Sequence, residues 1–137
     1  MSPHPELRPV GRVESALIDP ATAPRQGDEG APEAWLVFDA AVADALRDLT
    51  VGDQVVVLTW LDHARRDVLV TQPRNDVTAP ELGVFSTRSP DRPNPIGLHT
   101  VRIVATDGTR VRVDGLEAVD GTPILDVKPV LGPIAQR

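Results

Sequence analysis

The 137-residue chain contains no cysteine and no tyrosine, a single lysine (Lys128), and aromatics at only 3%. Without cysteine there are no disulfides and no thiolate metal ligands, and His4, His63 and His99 are too scattered to suggest a histidine cluster. No metal is expected. With only Trp35, Trp60, Phe38 and Phe85 to draw on, the core must be built from Val, Leu, Ile and Ala. No run approaches the roughly 20 apolar residues of a membrane span. The opening MSPHPELRP lacks the apolar centre of a signal peptide, so a cytoplasmic protein is expected. No GxGxxG motif follows any expected strand, which removes support for a doubly wound nucleotide-binding fold.

The chain has the length for one core and not for two. A single domain over residues 1–137 is expected, with residues 1–8 as a flexible N-terminus. The net charge of −6 is unevenly placed. Residues 1–53 hold four arginines against ten acids, and residues 54–137 hold ten of each sign. The first part reads as a solvated acidic face. A nucleic-acid interface would need Arg65, Arg66, Arg74, Arg88 and Arg92 gathered into one patch by the fold or by a second subunit.

Strand signals occur at Pro9–Leu17, Ala34–Phe38, Gln54–Leu61, Asp67–Thr71, Leu98–Thr106, Thr109–Asp114 and Thr122–Val127, with a short one at Val84–Ser86. Asp107-Gly108 marks a two-residue hairpin. In Thr109–Asp114, Val111 and Val113 alternate with Arg110, Arg112 and Asp114, as in a half-buried strand. Asp39 is placed to cap a helix over Ala40–Leu49, where Val42, Ala45, Leu46 and Leu49 form one apolar stripe. Residues 19–32, rich in Pro, Gly and Ala, read as a long loop that can act as a lid. Many short strands with one short helix predict a mainly β fold, a closed or nearly closed β-barrel.

The most distinctive segment is GVFSTRSPDRPNPIGL, Gly83–Leu98. Pro90, Pro93 and Pro95 fix their own φ, donate no N–H, and push Ser89, Arg92 and Asn94 toward extended backbone. The result is a stiff loop from which Arg88 and Arg92 can meet a carboxylate or phosphate with little ordering left to lose.

That segment resembles the signature of the TrmO-like (TsaA-like) family of S-adenosylmethionine-dependent tRNA adenosine N6-methyltransferases, whose usual form is close to GVFATRSPxRPNPIGL. Further matches follow in order: VGRVES at Val10–Ser15, APRQG at Ala23–Gly27, WLDHA at Trp60–Ala64 followed by RDVL, QPR at Gln72–Arg74, and DGTPILDVKP at Asp120–Pro129. The resemblance implies a dimeric single-sheet barrel that binds S-adenosyl-L-methionine near the subunit interface. It implies methylation of N6 of threonylcarbamoyladenosine beside the tRNA anticodon. It also implies a cofactor pocket lined by Arg25 and Gln26, by Leu61, Asp62 and His63, by Arg88 and Leu98, and by the stretch from Asp114 through Gly115 and Leu116 to Glu117. Many members carry a histidine where this chain has Asp62, with His63 one position later. Some carry an extra C-terminal domain, which is not expected here.

The methyl donor bears a sulfonium, a carboxylate and an adenine. Arg88 or Arg25 suits its carboxylate, Asp62 or Glu117 its cationic or ribose end, and Gln26 its adenine edge, with Leu61, Leu98 and Leu116 as apolar walls. Asp62, His63 and Asp126 are candidate proton acceptors, and their spacing selects none of them. Arg88, Arg92 and Asn94 are candidates for substrate contact. Two alternatives stay open: a methyltransferase acting on a small molecule, and a module that binds the donor without turnover.

Overall fold

The structure is a computed structural model, and it describes residues 5–16, 33–72 and 78–132. The expected lid over residues 19–32, with Arg25 and Gln26, lies outside the described residues, as does Arg74.

The chain is mainly β. Its strands are β1 (Gly11–Glu14), β2 (Ala34–Phe38), β3 (Gln54–Trp60), β4 (Val70–Thr71), β5 (Leu82–Gly83), β6 (Ile96–Asp107), β7 (Arg110–Asp114) and β8 (Pro123–Pro129). Among the described residues, two 3-10 helices, η1 (Ala40–Leu46) and η2 (Val84–Ser86), lie between them. Six strands hydrogen-bond in the order β1-β2-β7-β6-β3-β8, every pair antiparallel. The ring closes where Gly11 of β1 faces Ile124 of β8. The short β4 and β5 pair only with each other.

Strand alternation decides what fills the ring. Val13, Leu36, Val55, Val57, Val101, Ile103, Val111, Val113 and Ile124 point inward and are each at most 2% exposed. Leu116 and Ala118, just past β7, complete this core. It is the aliphatic interior that the shortage of aromatics demands; Phe38 is its one aromatic side chain among the described residues. Strand β7 follows its predicted alternation, with Val111 and Val113 buried and Asp114 exposed.

Several elements differ from their sequence expectation for local reasons. Strand β1 stops at Glu14 because the Ser15 N–H donates to the Asp120 carboxylate at 3.0 Å instead of to a sheet partner. The hairpin turn is Gly108-Thr109, one residue later than expected, with Gly108 at φ +60° and Asp107 still paired to Arg110. Left-handed backbone at that position suits glycine. The segment over Ala40–Leu46 is 3-10, interrupted at Val42 (φ −109°, ψ 15°), and Asp39 makes no side-chain cap bond. Val42, Leu46 and Leu49 nevertheless pack on the core, while Ala45 stays exposed. Val84–Ser86 is a 3-10 turn and not a strand, because the Val84 carbonyl is drawn to Thr87, whose N–H and hydroxyl both donate to it. No described helix is long and apolar enough to cross a membrane.

Candidate functional site

The proline-rich run folds back on itself and on the turn after β3. Pro95 is fully buried, and its carbonyl accepts from the Leu61 N–H at 2.8 Å. The Arg65 N–H donates to the Asp91 carboxylate at 2.8 Å, and the Arg92 N–H returns a bond to the Arg65 carbonyl. The Arg66 guanidinium donates to the Pro93 carbonyl at 2.7 Å and to Asn94 Oδ1 at 3.0 Å, while stacking 5.1 Å from the Trp60 ring. The fold thus brings the 61–67 and 91–95 segments together. Arg65 also forms a two-point pair with Asp67, and this hydrogen-bonded cation holds the Asp67 carboxyl below its usual value.

The two arginines of the run have opposite fates. The half-buried Arg92 guanidinium donates to the carbonyls of Val84, Thr87 and Ser89, tying the loop into one piece. Arg88 is exposed and has no hydrogen bond or ion pair among the described residues. Asn94 is exposed, with Oδ1 taken by Arg66.

Arg88 stands over a cleft of about 480 Å³ on the β6–β7 side of the ring. Leu98 and Thr100 of β6, Asp114 at the end of β7, and Gly115 and Glu117 beyond it line this cleft, and His99, Gln54 and Arg102 also contribute to it. Of the residues expected to hold a cofactor, Arg88, Leu98, Gly115 and Glu117 therefore converge. Leu116 does not join them, being 0% exposed in the core. Leu61, Asp62 and His63 are not among the cleft's lining; Asp62 and His63 sit beside each other on the surface, 3.7 Å apart. Asp126 lines a separate groove of about 780 Å³ between η1 and strands β3 and β8, and pairs with Lys128 at 3.3 Å.

The sequence reading did not single out His99, which is 4% exposed. Its Nδ1 lies 2.6 Å from Glu117 Oε1 and its Nε2 lies 2.7 Å from Thr59 Oγ1. Period-two counting along the expected strand places it on the face of Val101 and Ile103, the one available signal.

The cleft's chemistry is two-signed. Arg88 and Arg102 supply cations, Asp114 and Glu117 supply carboxylates, and the 46% exposed Leu98 supplies an apolar surface. A zwitterionic ligand with a flat apolar part fits that set. Among the described residues, no group of three or more His, Asp or Glu side chains could hold a metal ion.

Residues 12–134 match the family model of the tRNA-methyltransferase O N-terminal domain. An S-adenosyl-L-methionine-binding protein of Archaeoglobus fulgidus is 42% identical over 123 residues, covering 89% of this chain and 86% of that protein. A second, probable S-adenosyl-L-methionine-binding protein of that organism is 41% identical over 90% of this chain, which spans only 33% of it. A putative S-adenosylmethionine-dependent methyltransferase of Pseudomonas aeruginosa is 32% identical, with 90% and 53% covered. A crystal structure of TrmO from Pseudomonas aeruginosa superposes with a TM-score of 0.75 at 27% identity, covering all of this chain and 61% of that one.

Proposed function

Because the chain belongs to the tRNA-methyltransferase O N-terminal domain family, we propose that it is an S-adenosylmethionine-dependent methyltransferase. The observation that carries this reading is the convergence of Arg88, Leu98, Gly115 and Glu117, distant in sequence, on one two-signed cleft. The closed ring of strands that holds them is read as a small barrel.

S-adenosylmethionine supplies an electrophilic methyl group. Arg88, without a hydrogen bond or ion pair among the described residues, grips the carboxylate of the bound donor, while Glu117 and Asp114 face its cationic or ribose groups and Leu98 covers an apolar face. Holding donor and acceptor in line supplies much of the rate in such a displacement. The exposed Asp62–His63 pair is the proposed proton acceptor for the substrate amine. Asp126 is the weaker candidate, because Lys128 neutralises it in the other groove.

The proposed substrate is threonylcarbamoyladenosine beside the tRNA anticodon, methylated on N6. Arg66 beside the braced loop and Arg88 within it, with the exposed Asn94, are the groups proposed to meet the phosphate backbone, Arg65 being paired with Asp67. Labelled methyl transfer to tRNA from cells that make the threonylcarbamoyl group, and not to tRNA from cells that cannot, is the expected result. Transfer to neither, with donor binding intact, would move the reading to a small-molecule methyltransferase or a donor-binding module. The acid-rich composition of residues 1–53 favours that second reading.

The active form is proposed to be a homodimer. Leu61, Asp62 and His63 lie outside the cleft of their own chain, and Leu69, Val70, Phe85 and Ile96 beside the loop are exposed, Phe85 by 85%. A second copy would cover that apolar surface and bring its own 61–63 segment to the site. Light scattering at micromolar concentration should give twice the chain mass of 14.7 kDa. A strict monomer would exclude the shared site.

A further inference from the structure

Of the described residues, Thr59, His99 and Thr122 are the buried polar ones, and His99 among them carries two ring nitrogens to satisfy. It sits on the inward row of β6 between Gly97 and Val101, a position that an aliphatic side chain would fill more cheaply. An imidazole there requires partners on both nitrogens, and it has them. A neutral ring donating from Nδ1 to the Glu117 carboxylate and accepting at Nε2 from the Thr59 hydroxyl satisfies all three groups.

Room for the ring is made on purpose. Gly97 faces Thr59 across the β3–β6 pair. A Cβ there would overlap the Thr59 hydroxyl and lie 2.6 Å from His99 Nε2. Two successive inward positions of β6 thus serve one hydrogen-bond chain that ends at the cleft. Glu117, whose side chain is 17% exposed, has no other hydrogen bond among the described residues. Its Oε2 keeps its lone pairs for whatever enters.

We propose that His99 is a positioning residue. It fixes the Glu117 carboxylate, with Thr59 fixing the ring in turn, so that one carboxylate oxygen is held ready for an N–H or O–H group of the methyl donor. This rests on the donor-binding reading of the cleft. Calorimetric titration of the full chain with S-adenosylmethionine tests it, alongside thermal unfolding of every variant.

His99→Leu should weaken donor binding by roughly tenfold or more, the loss expected for one charge-assisted hydrogen bond. His99→Asn, whose amide N–H₂ replaces the Nδ1 donor, should stay within about threefold of the wild type. Because His99 acts through Glu117, His99→Leu made on top of Glu117→Ala, which removes the acceptor of the Nδ1–H, should change affinity by less than about twofold. A purely structural histidine would lower the melting temperature and leave these ratios flat. If His99→Leu does not fold, the isosteric Thr59→Val takes its place, with a several-fold loss expected in the wild type and none beside Glu117→Ala.

Wild-type affinity in His99→Leu, an equal loss in both backgrounds, or failure of His99→Asn to rescue would each overturn the inference alone. Absence of donor binding by the wild type would overturn the cleft's reading and this inference with it.

Discussion

Arg88→Ala is expected to weaken S-adenosylmethionine binding by roughly ten- to a hundredfold, the range for losing a charge-assisted contact to a carboxylate. Its unfolding free energy should move by no more than about 0.5 kcal/mol, since the side chain is exposed and has no partner among the described residues. Arg92→Ala should behave differently although it lies in the same loop. Its guanidinium ties the Val84, Thr87 and Ser89 carbonyls together, so its removal takes the side-chain donor from the Thr87 and Ser89 carbonyls, leaves Val84 to the donors of Thr87, and frees the segment that carries Arg88. A stability loss of about 1.5–3 kcal/mol is expected, together with weaker donor binding through a less ordered Arg88. Titration and chemical denaturation of the two variants side by side make the check. Loss of tRNA binding by Arg92→Ala with unchanged stability and unchanged donor affinity would show that the side chain faces substrate instead.

The second large effect lies in the core. Leu36 is 1% exposed in β2, directly between Val13 of β1 and Val111 of β7. Truncation to alanine opens a cavity between strands whose hydrogen bonds on both sides keep them from closing in. Leu36→Ala should cost about 2–5 kcal/mol, read as a lower denaturant midpoint at unchanged slope. A cost under about 1 kcal/mol would mean that the ring collapses around the site. Because domains of this kind carry only about 5–15 kcal/mol in total, the variant should also express poorly.

The sequence disclosed those parts of the molecule that depend on local pattern. Period-two alternation located Ala34–Phe38 and β7, and the prolines identified a stiff loop, because both signals are intrinsic to the chain. The four cleft residues were named from a resemblance. The β6–β7 hairpin was marked by Asp107-Gly108, but the register shift between Ile103 and Ala105 and the placing of Arg88 beside these strands have no local signature. The fates of Arg88 and Arg92 were equally hidden, since two arginines four residues apart in an irregular loop have no period to separate inward from outward. His99 was different: its strand was recognised, and counting by twos from Val101 would have exposed a histidine on the core face. Val84–Ser86 went astray because a β-branched and aromatic triplet favours strand, whereas the donors of Thr87 and Arg92 converge on one carbonyl and bend it.

The Gly11–Ile124 pairing governs the order of events when the molecule forms. Strands β2 and β7, and β3 and β8, also join partners far apart along the chain. Among the described ring strands, β6 and β7 are joined by a two-residue turn, whereas β1 and β2, though consecutive, are separated by a long segment. Such non-local pairing places the protein among slow folders, in the range of about milliseconds to seconds. During synthesis β1 must wait, unpaired on one side, until β8 has been made. A nascent chain therefore presents open strand edges for as long as translation of the intervening segment lasts, and becomes safe from edge-to-edge association only at the final step.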